Sequence, residues 1–549
     1  MLRFALGVAL GAYLTKKIIS ARRHTILRLR LKLFGGTFNL ANARVPLALL
    51  PPSTRNQLPA ADAEGLVACD VRVANGKIAS VTQTTSSGLG WILTACWADS
   101  HTHLVKTQAH GRTRNPTGSI SDALASEVLD QPRWAACPCC RPIAFKGGGE
   151  CGDVDKSCVP CPKADDIIRR MDFSIACAYH HGTRAIRTHL DGCNAPDAKL
   201  RATVYAAFAA CRKKWAAKGM VVQGVANLFL PLWAVNDIAA PHLKEAVQYE
   251  GVLLGAYCGN VATTPEAETV VAFDCLFAAA RKHNLAVDLH IDETNEPRCC
   301  ALKPLVISLK KARANGYTQP VLLGHCTALA LQPPRIKDEV IRGLAGIKNV
   351  TVVCNPHTNL GLMDRRGSEA PHCVTIDYDV PRTPIWRGLT LVQELNAAGV
   401  PVGAGSDNVR DWWCAYGTDY DGLQTWKGAV VMGQLDTAPS EGAWAHVVSD
   451  VPAAAMGVPP SESGYSFAIG APADLILFPD VRTMSELMTR PHQPDRIILR
   501  KGRVQESTLP SFEELDDLIK NSLALSKPDL AERSGVVQRG GAKLAMNSK

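Results

Sequence analysis

Residues 91–104 read Trp91-Ile92-Leu93-Thr94-Ala95-Cys96-Trp97-Ala98-Asp99-Ser100-His101-Thr102-His103-Leu104. A short apolar run closed by polar residues has the pattern of a buried strand. Alternate residues of a strand face one side, so His101 and His103 present two imidazoles together beside its C-terminal end. Neutral imidazole is a common ligand of zinc and iron, and two at this spacing can grip one ion. An ordinary polar strand end has the same pattern, so the decision rests on the remainder of the chain.

Downstream the chain alternates. Strand patterns fall at 183–189, 220–229, 252–257, 285–290, 321–325, 351–354 and 400–406, and with the opening strand, placed at 92–101, they number eight. Amphipathic helix patterns lie between most of them, at 165–180, 198–218, 267–283, 301–315 and 389–398. Regular alternation of strand and helix implies a parallel sheet, and eight units imply a closed (β/α)8, TIM-like barrel. Segments 35–50 and 67–82 alternate like antiparallel strands, with Asn75-Gly76 as a hairpin turn. Segments 465–478 and 495–504 return to short strands. The expected organisation is a leader (1–35), a small composite β-sandwich domain from both chain ends (36–91 and 456–508), and the barrel (92–455). Beyond residue 509 one polar helix and a mobile tail are expected.

Charge and cysteine are unevenly spread. The net charge is +9, yet residues 1–34 carry eight Lys or Arg and no acid, leaving 52 basic side chains against 51 acidic ones in the body. A neutral body gives no ground for a nucleic-acid partner. The leader is Leu- and Arg-rich, with an apolar run too short to span a bilayer comfortably. Organelle targeting and membrane contact through residues 1–34 both fit, against an unstructured extension on a cytoplasmic protein. Six of the 19 cysteines are Cys137, Cys139, Cys140, Cys151, Cys158 and Cys161. They lie in an insertion (137–161) of a polar excursion, 108–161, too long for an ordinary connection. Their spacing suits a structural zinc, disulfides in an oxidising compartment, or free thiols. Because the excursion comes after the first barrel strand, it is a candidate lid.

In such a barrel the chemistry sits at the C-terminal ends of the strands. Strand one ends in His101 and His103, strand five in Asp288-Leu289-His290-Ile291-Asp292-Glu293, strand six in Gly324-His325-Cys326, and strand eight in Gly405-Ser406-Asp407-Asn408. His101, His103, His290 and Asp407 form a nitrogen and oxygen ligand set for one divalent ion. A divalent ion acidifies bound water, and a carboxylate must then move protons between water and leaving group. Glu293, three residues past a ligand, suits that shuttle. His325 would hold a second metal or hydrogen-bond the attacking water. His189, closing strand two in Arg187-Thr188-His189-Leu190-Asp191, is expected in a supporting or packing role. His110, His180, His181, His357 and His372 have weaker claims.

The stretches HTHL (101–104), RTHLD (187–191), DLHIDE (288–293), LGHC (323–326) and GSDNVRDWW (405–413) resemble those of the cytosine-deaminase-like branch of the metal-dependent amidohydrolase superfamily. The similarity runs from about residue 36 to 510. It implies one zinc or iron held by His101, His103, His290 and Asp407, with Glu293 as proton shuttle. It further implies that His325 positions the hydrolytic water, that Asp407 also takes a proton, and that Trp413 walls the substrate pocket. The fourth strand, 251–257, has no Lys, so the carboxylated lysine of two-metal relatives is missing, in keeping with one ion. Two departures stand out. The Gln that bacterial cytosine deaminases use on the pyrimidine corresponds to Leu232, and the second Asp after the metal Asp corresponds to Asn408. A missing polar partner weakens recognition of a substrate that needs it.

The resulting expectation is a metal-dependent hydrolase of a cyclic C–N bond, a deaminase of a small nitrogenous heterocycle that need not be cytosine. A cyclic amidase is the alternative enzyme, and a non-catalytic metal-binding scaffold tethered by the leader is the alternative of another class. Leu232, Asn408 and Trp413 are the candidate substrate contacts, and a homo-oligomer is expected.

Overall fold

The computed structural model describes residues 25–33, 35–134, 165–258, 264–365, 383–437, 440–458, 465–490 and 495–519. The chain opens a sheet with β1 (Phe38–Pro46), β2 (Leu66–Ala74) and β3 (Lys77–Gln83). Asn75 and Gly76 turn β2 into β3 with φ of 51° and 75°, the paired positive values of a type I′ hairpin. β4 (Trp91–Ala95) then runs parallel to β1.

Here the strand expected over the whole opening stretch divides in two. β4 stays in the first sheet, while β5 (Trp97–Thr102) begins the second. The break falls at Cys96 because neighbouring backbone donors are satisfied by different sheets. Cys96 N donates to Asp474 O at 3.0 Å and Trp97 N to Gly182 O at 3.1 Å. The apolar run thus passes from one sheet into the other within a single core, and periodicity gives no sign of the handover.

From β5 the parallel strands come in chain order: β6 (Thr183–His189), β7 (Val221–Phe229), β8 (Val252–Tyr257), β9 (Val287–Ile291), β10 (Val321–His325), β11 (Val350–Cys354) and β12 (Val402–Ala404). β10 and β11 are buried along their whole length, as expected of strands covered on both faces. A parallel bridge between Thr102 and Asp407 joins the last strand to the first, with Asp407 N donating to His101 O at 2.9 Å. The eight strands make a (β/α)8 barrel, and its seam lies among the candidate ligands.

β13 (Leu475–Phe478), β14 (Ile497–Arg500) and β15 (Arg503–Val504) return to the first sheet, giving the order β15-β14-β13-β4-β1-β2-β3. Below the histidines the barrel interior is polar. Arg187 on β6 pairs with Asp288 on β9 at 2.9 Å and donates to Gln223 on β7. It also donates to Ala455 O, at the end of the short helix Asp450–Ala455.

The excursion after β5, to which the sequence pattern assigns no element, contains a helix, Ile120–Trp134. Its buried stripe, Asp122, Ala123, Ser126, Asp130 and Trp134, is mostly polar, so the usual apolar signal is lacking. Asp130 accepts from Arg112, Thr113, Arg133 and the Trp134 indole, and Arg112 continues to Asp166 and Arg170. The cysteine insertion 137–161, and with it the zinc, disulfide and lid readings, lies outside the described residues. Of the leader, residues 25–33 are helical, Leu31 is buried in the main core, and Lys32 pairs with Glu506. Among the described residues no helix is long and apolar enough to cross a membrane. At the other end, turns Phe512–Leu515 and Asp516–Ile519 pack Leu515, Leu518 and Ile519 on Phe173 and Cys177.

Candidate metal centre

Three barrel strands bring the candidate ligands, with His189 and His325, into two overlapping groups, His101, His103, His189 and His290, and His101, His325 and Asp407, the ligand atoms of each lying within 4.8 Å of one another. His101 lies in β5 and His103 just beyond it, His290 in β9, and Asp407 three residues past β12. His103 Nε2 is 3.0 Å from His290 Nε2 and 3.4 Å from Asp407 Oδ1, which is 3.8 Å from His101 Nε2. All four side chains are largely or fully withdrawn from solvent. His325, closing β10, brings Nδ1 to 3.9 Å from Asp407 Oδ2. Gly324 makes this convergence possible, because a Cβ there would meet His101 Cε1 at 2.8 Å. His325 and Asp407 hold φ of 72° and 57°, values that L residues seldom adopt and that collect at functional sites.

The donor set fits a cation. Neither carboxylate oxygen of Asp407, nor His101 Nε2, receives a hydrogen bond from a described residue. A buried carboxylate without a partner is costly, and imidazole nitrogens facing it can share an ion with it. Burial pushes the Asp407 carboxyl up and drives His101, His103 and His290 well below the ordinary imidazole value, so the rings are neutral. Neutral imidazole is the form that ligates.

Polar groups behind the ligands set their tautomers. His103 Nδ1 lies 3.0 Å from both oxygens of Asp191, so that nitrogen carries the proton and Nε2 keeps its lone pair. Lys106 holds Asp191 from the other side at 3.2 Å. His101 Nδ1 is 3.3 Å from His189 Nε2, whose Nδ1 is 2.8 Å from the side-chain amide of Asn227. For His101 to ligate through Nε2, the proton must sit on Nδ1 and point at His189. His189 itself stands in the cluster: one ring nitrogen from each of His101, His103, His189 and His290 lies within 4.8 Å of the others, and its ring stacks on His103 with centroids 4.9 Å apart.

Glu293 stands beside this cluster with its Oε1 3.1 Å from His325 Nδ1. Burial pushes its carboxyl up, out of the ordinary range, which suits a group that must hold and release a proton near neutrality. Asn359 contacts both, at 3.5 Å from Glu293 Oε1 and 2.9 Å from His325 Nδ1.

The candidate substrate contacts are placed differently from one another. Trp413 is half-buried beneath Lys106, whose Nζ lies 4.9 Å from the ring centroid. Leu232 sits in the turn Leu230–Ala234 just past β7, half-buried at the C-terminal end of the barrel. Asn408 is turned away into the Asp407–Trp413 loop, where its Nδ2 donates to Asp411 Oδ2 at 2.8 Å. His110, His180, His181 and His357 take no part in the histidine clusters of the centre, and His372 lies outside the described residues.

Sequence reasoning missed Asp191, Lys106, Asn227 and Asn359. Asp191 is two residues from His189 and Lys106 three from His103, so proximity to a strand end was the available signal. Nothing local marks Asn227 or Asn359.

Known proteins place these findings in context. Residues 189–502 match the model of the amidohydrolase family. A curated protein named pterin deaminase, from Rhizobium rhizogenes, is 34% identical over 494 residues, covering 88% of this chain and 97% of the relative. Among solved structures, the 5-methylcytosine deaminase of Klebsiella pneumoniae is 18% identical with a TM-score of 0.62, covering 86% of this chain and 98% of its own. The N-isopropylammelide isopropylaminohydrolase of Burkholderia multivorans is 20% identical with a TM-score of 0.56, covering 85% and 98%. At these identities the two structures show a shared fold.

Proposed function

The chain belongs to the amidohydrolase family, and from that premise we propose that it is a metal-dependent deaminase of a pterin-class heterocycle. The broader statement, a metal-dependent hydrolase that deaminates a small nitrogenous ring, rests on the family and the pterin deaminase relative together. The narrower one takes its substrate from that relative and from Leu232, an apolar side chain where a cytosine reader would carry an amide. The observation that carries the reading is the Asp407 carboxylate, buried and without a hydrogen bond from a described residue, with the rings of His101, His103 and His325 at 3.8, 3.4 and 3.9 Å.

His101, His103, His290 and Asp407 would hold one divalent ion, zinc or iron. When bound there it would lower the pKa of water and polarise the ring. His325 orients the water that attacks the amino-bearing carbon. Glu293 passes one proton of that water to the ring nitrogen beside the attacked carbon, and Asp407 takes the second and returns it to the departing amino group, so that both carboxyl groups end as they began. A C–O bond forms, the exocyclic C–N bond breaks, and ammonia leaves as the ring becomes a carbonyl compound. Trp413 walls the ring, and Asn408 keeps the loop that carries both Asp407 and Trp413 in shape.

The test is steady-state ammonia release from pterin, guanine, cytosine and creatinine, with metal analysis of the same preparation. Pterin should be the preferred substrate, with about one barrel ion per chain. Full turnover by metal-free protein would end the proposal, and strong preference for a monocyclic ring would end its narrower part.

A further inference from the structure

We propose that Glu127, held by Lys106 beside Trp413, is the specificity-determining group that accepts the ring N–H of the substrate. The inference rests on the deaminase reading and deepens it by naming a reader for the ring edge. Its starting point is the number of carboxylates around one buried lysine. Asp191, Glu127, Asp411 and Asp407 all act on Lys106 and together raise its ammonium above the ordinary lysine value against the pull of burial. Three of the four already have a use. Asp191 takes the His103 proton and a Lys106 hydrogen, Asp411 takes Asn408 and the backbone of Trp413 and Cys414, and Asp407 belongs to the ligand set.

Glu127 is left over. Its Oε2 is 3.8 Å from Lys106 Nζ and takes a long 3.5 Å hydrogen bond from the Trp413 indole. The side chain keeps 15% of its surface open. An ionised carboxylate only accepts hydrogen bonds, so the ligand that completes it must bring N–H. Burial raises the Glu127 carboxyl and the Lys106 ammonium opposes that rise most strongly, while the contacts of Oε2 are one long hydrogen bond and one cation at 3.8 Å.

Its position fits a planar substrate. Helix 120–134 brings Glu127 over the C-terminal end of the barrel, and Lys106 and Asp191 link it to His103 through contacts of 3.8, 3.2 and 3.0 Å. Trp413 borders it on one side. Tyr257, at the end of β8 and stacked on Phe229 with centroids 5.2 Å apart, is 41% exposed and has its phenol raised chiefly by burial and further by Glu127. A flat ring entering between these aromatics would meet Glu127 edge-on, while its amino-bearing carbon faces the ligand set. Lys106 is then a positioning residue that keeps the carboxylate charged and aimed.

The test compares natural protein, Glu127→Gln and Glu127→Ala on pterin and on pterin methylated at its ring N–H, following kcat, KM and quenching of pterin fluorescence. A hydrogen bond to a charged group is strong enough that losing it should raise KM and the fluorescence Kd for pterin on the order of 10- to 100-fold. Metal content and thermal unfolding should be unchanged. For the methylated ring, natural and variant proteins should bind alike. Lys106→Met should copy the KM effect, and Lys106→Arg should restore most of it, which a purely structural lysine would not do. Unchanged KM and Kd in Glu127→Gln, with pterin still turned over by the natural protein, overturns this inference and leaves the deaminase reading intact. A natural protein that neither binds nor deaminates pterin removes the pterin reading and this inference with it.

Discussion

The Nδ1 proton of His103 is held by Asp191 at 3.0 Å, and the opposite nitrogen of the same ring points at His290 Nε2, also 3.0 Å away. One carboxylate thereby fixes which face of the imidazole is available to a cation. Groups that orient a ligand in this way commonly change metal affinity roughly 10- to 100-fold when removed. Asp191→Asn should weaken divalent-ion binding within that range, read by chelator competition, and excess metal should recover part of the activity. His290→Ala should abolish both metal retention and turnover. Undiminished affinity in Asp191→Asn would show that His103 finds its tautomer without help.

Substrate choice should respond to Leu232. Leu offers no donor or acceptor, so cytosine bound there leaves polar groups unpaired at about 1–3 kcal/mol each. Steady-state kinetics should show poor cytosine turnover by the natural protein and a gain in Leu232→Gln. Adding Asn408→Asp should cancel that gain, because Asn408 Nδ2 donates to Asp411 at 2.8 Å. A second carboxylate would repel the first and move the loop bearing Asp407. A double variant better than the single one would refute this placement.

Acid should loosen the helix that carries Glu127. Burial alone would raise Asp166, but the Arg112 and Arg170 guanidiniums overturn that and hold its carboxyl well below the ordinary range. Asp130 is lowered in the same way, again against burial. A depressed native pKa stabilises the fold above the unfolded value of about 3.9. That contribution is full at neutral pH and lost as pH falls below about 4 toward the native pKa. Asp166→Asn leaves two buried guanidiniums short of a partner and should cost about 3–5 kcal/mol at pH 7. Urea unfolding at pH 7 and at about pH 2.5, inside that window, should show the variant less sensitive to the change.

Truncation of the leader should depend on where the cut falls. Leu31 is 3% exposed within the main core and Lys32 pairs with Glu506, so removing residues 1–34 takes core with it. The 1–34 truncation should therefore lower the unfolding midpoint further than the 1–24 truncation, which keeps Leu31 and Lys32. Leu31→Ala should cost about 2–5 kcal/mol, the usual range for a buried leucine. Equal midpoints for the two truncations would show that the 25–33 helix adds nothing.

Much of this molecule is legible in local pattern. The alternation of apolar strands with amphipathic helices specifies a parallel barrel, because each period states which side of its element is buried. Ligand chemistry at strand ends marks the candidate centre, since His101, His103, His290 and Asp407 each lie at or just past the end of a barrel strand. These readings need no partner to be known in advance.

The tertiary structure alone decided the rest. One apolar run parts into two strands at Cys96 because Cys96 N reaches Asp474 O while Trp97 N reaches Gly182 O, and the run itself contains neither. Asp191 meets His103 across 88 residues and Lys106 across 85. Glu127 meets Lys106 only because a helix with a polar inner stripe folds over the barrel. Local sequence records which side a residue faces, through the period of its element. It does not record what waits there, which is settled when Asp407 N closes the barrel on His101 O and brings distant carboxylates and imidazoles within hydrogen-bonding range.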